Sequence, residues 1–118
     1  LEGGGSGKLD FTYVEDLIDG MIRALALHGG PTASDTFNLT YGNARSILEL
    51  ANTIKEIIPS VTFEYRPKAE DKPTRGTLKM DKAKDRLGFE PKWPLEKGYK
   101  KYCKWYVSEW EKVIRSNP

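Results

Sequence analysis

EDKPTRGTLKMDKAKDRLGFEP, residues 70–91, is the stretch that orders the rest of the chain. Its first half is polar and broken by Pro73, which favours a loop, and it carries one arginine, Arg75, with Gly76 directly behind it. Its second half predicts a short helix over residues 80–87, stopped by Gly88 and Pro91. A guanidinium next to a glycine can bring its donor fork and bare backbone up to an anion. A solvated surface arginine is the commoner state of such a residue. The stretch therefore reads as part of a small α/β domain with a candidate anion-binding loop.

At 118 residues the chain has room for one domain with a modest core. A hydrophobic content of 38% and a charged content of 31% fit a globular protein. The net charge of +2 is too small, and its basic residues too mixed with acidic ones, to expect a nucleic-acid partner. No apolar run reaches the roughly 20 residues that span a bilayer, so no membrane partner is expected. The single cysteine, Cys103, allows no internal disulfide and fits a reducing compartment, so a cytoplasmic setting is expected. One cysteine with one histidine, His28, cannot build a thiolate–imidazole zinc site.

Residues 1–7, LEGGGSG, have the composition of an artificial glycine/serine linker or cloning scar and are expected to stay outside the fold. A natural glycine-rich phosphate loop is the alternative, but no strand precedes it. The folded domain is accordingly expected over residues 8–118. FTYV, residues 11–14, reads as a short strand. Thr12 and Glu15 fit a capping box, with Asp16 adding negative charge at the start of a helix that runs to about His28. Leu17, Met21 and Leu25, with Ile18 and Ile22 alongside, form its apolar stripe. Gly29, Gly30 and Pro31 end it, and His28 in its last turn is expected to serve the helix end, not catalysis.

TFNLT, residues 36–40, predicts a second strand and residues 41–44 a turn. Asn38 and Thr40 complete a glycosylation sequon, which a strand position discounts. Ser46 and Glu49 form a cleaner capping box, opening a helix through Ile58. Its expected stripe is Ile47, Leu50, Ala51, Ile54, Ile57 and Ile58. VTFEY, residues 61–65, alternates as a half-buried strand does. After the 70–91 stretch, Pro94 introduces a last helix whose Leu95, Tyr99, Tyr102, Tyr106, Trp110 and Val113 recur every three or four residues. With lysines between them such aromatics can stack on nucleotides; docking onto the core is the expected use. No glycine-rich strand–turn–helix, no Ser/His/Asp set and no metal-ligand cluster stands in the sequence, so catalysis by the chain alone is not expected.

Three stretches resemble the C-terminal part of the extended short-chain dehydrogenase/reductase family, the NAD-dependent nucleotide-sugar epimerases and dehydratases that include UDP-glucose 4-epimerase. LDFTYVEDLIDGMIRAL, residues 9–25, resembles the family's R-D-F-x-(Y/H)-V-x-D-(L/V) segment. FNLTYGNARSILELANTIKEI, residues 37–57, is similar to its (F/Y)-N-(L/I)-G-x-G-x-x-x-S strand, turn and helix. RGTLKMDKAKDRLGFEPKWPLEKG, residues 75–98, resembles its late D-x-S-K-A-x-x-x-L-G-(F/W)-x-P-x-x-x-L-x-x-G signature.

The resemblance implies an α/β fold: a small mixed lobe of short strands and helices, without the Rossmann domain that holds NAD and the Ser/Thr–Tyr–Lys set in such enzymes. Tyr13 is not that catalytic tyrosine, because Leu17 stands where its lysine partner would be. The implied role is the grip on a nucleotide-diphosphate sugar, UDP-linked by the same likeness, inert alone, in a parent enzyme expected to be a homodimer. No cofactor is expected on this chain itself. An arginine in the loop before the S-K-A helix contacts the diphosphate in the family, which makes Arg75 the first candidate and Arg66 and Lys68 its alternatives. The family's second phosphate-binding arginine, just before D-F, is Leu9 here, with Lys8 adjacent as the candidate substitute. The second glycine of G-x-G is also missing, and S-K-A reads Asp81-Lys82-Ala83.

Overall fold

Helices carry most of the fold, because few segments of this chain find a strand partner. The computed structural model describes residues 1–27, 34–69 and 73–116. In order they form a single 3-10 turn, Gly3–Gly5, then β1 (Lys8–Leu9), α1 (Val14–Ala26), β2 (Arg45–Ser46), α2 (Ile47–Ile57), α3 (Asp81–Leu87) and α4 (Leu95–Ser116). The two strands pair antiparallel, Lys8 opposite Ser46 and Leu9 opposite Arg45. His28 and the glycines and proline expected to end α1 lie outside the described residues.

α2 begins as its sequence requires. The Ser46 hydroxyl accepts the Glu49 amide at 3.1 Å, and a Glu49 carboxylate oxygen accepts the Ser46 amide at 2.7 Å. α3 closes at Gly88, which takes the left-handed conformation (φ 61°) that stops a helix. α1 departs from expectation: its cap is Tyr13 without a side-chain bond, so the Thr12 capping box does not form. Asp16 serves the next layer instead of the helix dipole. It is 3% exposed and accepts the amides of Lys92 at 2.8 Å and Trp93 at 3.0 Å, fixing the segment that leads into α4.

The central core cluster is Ala83, Leu87 and Phe89, with Ala24, Phe37, Leu39 and Met80 packed against it, and Ala51, Leu95 and Cys103 are buried as well. α1 meets it through Gly20, where a Cβ would stand 2.7 Å from a Leu39 methyl and 3.1 Å from the Phe89 ring. Leaving out that side chain lets the helix approach closely. Its apolar stripe consequently points away: Leu17, Ile18, Met21 and Ile22 are exposed and Leu25 is 82% exposed. α4 likewise buries Leu95, Gly98 and Cys103, while Tyr102, Trp105, Tyr106 and Trp110 stand in solvent. The expectation that this aromatic face docks on the core is therefore corrected; the core ends before the helix does.

The three predicted strands at residues 11–14, 36–40 and 61–65 do not form. Their residue types suit a sheet, but a strand exists only where a neighbour supplies a ladder of hydrogen bonds, and among the described residues a lone bond from the Leu1 amino group to the Glu64 carbonyl does not make one. A second correction concerns residues 1–7, which enter the fold. Gly3 donates to the Arg66 carbonyl at 2.9 Å, Arg66 donates to the Leu1 carbonyl at 3.0 Å, and Ile47 donates to the Gly7 carbonyl at 2.8 Å. Gly5 is buried at φ 77°, with Leu48 so close that any Cβ would stand 2.8 Å from its amide nitrogen. Composition suggested flexibility; the positive φ angles of this turn are what its glycines serve.

Candidate functional site

Asp10 follows directly on β1, and its Oδ1 accepts the Gly42 amide at 3.1 Å, an amide shared with Thr40 Oγ1 at 3.1 Å. Its other oxygen, Oδ2, is buried with no partner. Two residues further along this turn, the Ala44 amide donates to Thr77 Oγ1 at 2.8 Å. The Asn38 side-chain amide donates to the Lys79 carbonyl at 2.8 Å, and the Met80 sulfur lies 3.1 Å from where a Cβ on Gly42 would stand. The loop at residues 73–79 is thus laid against the turn while staying exposed throughout. Arg75 sits two residues before Thr77, exposed, with no hydrogen bond or ion pair to the described residues.

The structure divides the four candidate cations into two pairs. Lys8, exposed in β1, and Arg75 belong to the two flanks of the Tyr41–Ala44 turn, one through β1 and Asp10, the other through Thr77. Arg66 and Lys68 belong to the amino-terminal segment instead. The Arg66 backbone bridges to Glu2, and the Lys68 Cβ lies 3.0 Å from a Cβ built on Gly3. Arg66 is also committed in charge: its guanidinium bonds both oxygens of Glu64 at 3.1 Å. An exposed pair of this kind is worth little to stability, yet it neutralises the fork locally. Arg75 alone of the two arginines has its fork unengaged among the described residues.

Arg45, which sequence reasoning did not single out, braces this end. It bonds Glu96 at 2.6 Å and Glu49 at 2.7 Å, joining β2, α2 and α4. Glu96 first and Glu49 second raise its pKa. The Ser46 amide, the Arg45 guanidinium and the Ser46 hydroxyl together lower the Glu49 carboxyl from its ordinary 4.5 to about 2. Only the Glu49 partner, four residues away, was within reach of pattern reading; Glu96 is 51 positions distant.

A separate cleft of about 240 Å³ opens between the start of α1 and α4, lined by Phe11, Tyr13, Trp93, Leu95, Tyr99 and Tyr102. The Tyr13 and Trp93 rings are 5.1 Å apart, with the Lys101 ammonium 4.4 Å above Trp93. From Tyr102 an aromatic row continues along α4, ending in Tyr106 and Trp110 stacked at 6.3 Å. Such a surface suits apolar contact more than a diphosphate. Among the described residues no group of three His, Cys, Asp or Glu side chains could hold a metal, and no helix is long and apolar enough to cross a membrane.

No family model matches the chain. It is 38% identical over 98 residues to UDP-glucuronic acid decarboxylase 1 of Arabidopsis thaliana, a match covering 81% of this chain and 21% of the plant protein. Its structure superposes on the epimerase Mth375 of Methanothermobacter thermautotrophicus with a TM-score of 0.83 and 28% identity, covering 99% of this chain and 34% of the epimerase. On UDP-glucose 4-epimerase of Thermotoga maritima, solved with UDP-glucose, the TM-score is 0.76 at 27% identity, covering 92% and 34%. The chain spans about a fifth of the decarboxylase and a third of each epimerase. The match to the Methanothermobacter epimerase leaves out only 1% of the chain, so it takes in the glycine-rich start as well.

Proposed function

We propose, for a chain that matches the C-terminal part of an extended short-chain dehydrogenase/reductase, that it is the lobe gripping the nucleotide diphosphate of a UDP-sugar in an NAD-dependent enzyme. The observation that carries this reading is the likeness to about a third of each epimerase, maintained over nearly the whole chain. A nucleotide diphosphate carries at least two negative charges. Lys8 and Arg75 offer two cations on the flanks of one turn, and the fork of Arg75, unengaged among the described residues, can take two phosphate oxygens at once. Arg66 and Lys68 remain the alternatives if Arg75 proves idle.

In this reading the lobe is not catalytic alone. NAD and the catalytic tyrosine and lysine belong to the Rossmann domain, whose docking would cover the exposed α1 stripe. The parent is a homodimer, and a cytoplasmic setting belongs to the same proposal. Curated relatives decarboxylate UDP-glucuronic acid and the structural neighbours are epimerases, so epimerisation, dehydration and decarboxylation are all open to a parent carrying this lobe.

Isothermal titration of the full-length protein with UDP tests the reading. Arg75→Ala should weaken binding by about 1.5–3 kcal/mol, the range for a hydrogen bond to a charged group. Unchanged affinity would remove Arg75 from the site and move the test to Arg66.

A second reading, a free-standing interaction module, is favoured by the exposed row Tyr102, Trp105, Tyr106 and Trp110. Replacing Trp105 and Trp110 by alanine separates the two. Loss of a protein partner with UDP affinity intact would favour the module.

A further inference from the structure

The segments that carry both candidate phosphate-contacting arms are fastened to the same four-residue turn, and the fastening nearest Arg75 is one hydroxyl. Lys8 is fixed by pairing with Ser46, and Asp10, two residues on, holds the Gly42 amide at 3.1 Å. On the opposite flank, Thr77 Oγ1 accepts the Ala44 amide at 2.8 Å, and beyond it the loop is secured again at Lys79 by Asn38. Towards the chain start, Arg75 and Gly76 are exposed, and the described residues give Arg75 no other hydrogen bond or ion pair. The position of the guanidinium relative to Lys8 is therefore transmitted through the turn, from Asp10 by way of Gly42 and Ala44 to Thr77.

We infer that Thr77 is a positioning residue for UDP-sugar binding: its hydroxyl pins the Arg75 loop to the Tyr41–Ala44 turn and so fixes the separation of Arg75 and Lys8. The inference rests on the proposed diphosphate-gripping role. Its physical content is preorganisation. A loop already held in its binding position loses less freedom when the ligand arrives, and the gain is realised only through the arginine it carries. Valine at this position keeps the β-branched shape of threonine and removes the acceptor, whereas serine keeps the acceptor.

The test is a double-mutant cycle read by UDP titration of the full-length protein, with thermal unfolding followed in parallel. Thr77→Val should weaken UDP binding about threefold to tenfold, the scale of one neutral hydrogen bond, without moving the unfolding midpoint by more than a degree or two. Thr77→Ser should restore most of the affinity. In an Arg75→Ala background, Thr77→Val should cost nothing further, because there is no longer a guanidinium to position. Full affinity in Thr77→Val while Arg75→Ala binds weakly would overturn the brace and leave the diphosphate reading standing. A Thr77→Val loss that persists undiminished beside Arg75→Ala would also overturn it. Wild-type affinity in Arg75→Ala would overturn the brace and move the diphosphate reading to Arg66, and no UDP binding by the wild type would sink that reading and the brace with it.

Discussion

At Gly5 the backbone turns through φ 77°, and a methyl group there would stand 2.8 Å from the Leu48 amide nitrogen. Gly5→Ala should therefore destabilise the chain by about 1–3 kcal/mol in a urea melt, from strain and displacement of the α2 start together. A flexible tail would tolerate the change without effect. The same turn shows why composition misled at this point. Glycine and serine are what a flexible linker uses, and they are also what a tight turn with three positive φ angles requires. Glu49 makes a second prediction at this scale. Its folded-state pKa of about 2 lies below the ordinary 4.5, so its contribution is complete above pH 4.5 and is lost as pH falls towards 2. Glu49→Gln should flatten the fall in stability between those limits. The difference between variant and wild type is the relevant quantity, because hydrogen bonds from Lys82 to Asp35 and from Arg45 to Glu96 also hold those carboxyls below their ordinary values. At this scale the Ser46–Glu49 capping box was legible in the sequence because both partners lie within one helical turn. The burial of Asp16 was not, since its partners Lys92 and Trp93 are more than 70 positions away.

Among the elements, the four helices of the described residues followed from periodicity, the start of α2 from its capping box and the stop of α3 from Gly88. What periodicity could not tell was which side of a helix meets this core. α1 has a clean apolar stripe, yet it packs by Gly20 and presents Leu25 to solvent. An amphipathic pattern states that a face is to be covered, not that the same chain covers it. Leu25→Lys should thus leave the unfolding free energy of this chain within about 0.5 kcal/mol of wild type, while destabilising the full-length protein if the Rossmann domain covers α1. Equal effects in both would contradict that docking. Phe89, fully buried in the core, is the opposite case: Phe89→Ala should cost about 3–5 kcal/mol in this chain itself. The missed strands have the same origin as the exposed stripe. Residues 36–40 and 61–65 carry strand-forming side chains, but ladder partners are a property of the whole sheet and no local pattern encodes them.

For the molecule as a whole, the radius of gyration is 18.0 Å, against about 13–14 Å for a compact domain of this length. The openness agrees with the α1 stripe and the aromatic row of α4, two apolar surfaces left over once Ala83, Leu87 and Phe89 have made their core. The small mixed fold and the family likeness were legible because three motifs recur in order along the sequence. The grouping of Lys8 with Arg75, and of Arg66 with Lys68, was not, because it depends on the route of the amino-terminal segment past residues 42–48 and 66. The most direct measurement is an amide-resolved NMR titration of the full-length protein with UDP. The account predicts shifts concentrated at Lys8, at Tyr41 to Ala44 and at Thr74 to Leu78, with the Arg66 to Lys68 segment little changed. Saturating UDP that perturbs none of these amides, or that perturbs only the aromatic row of α4, would contradict it.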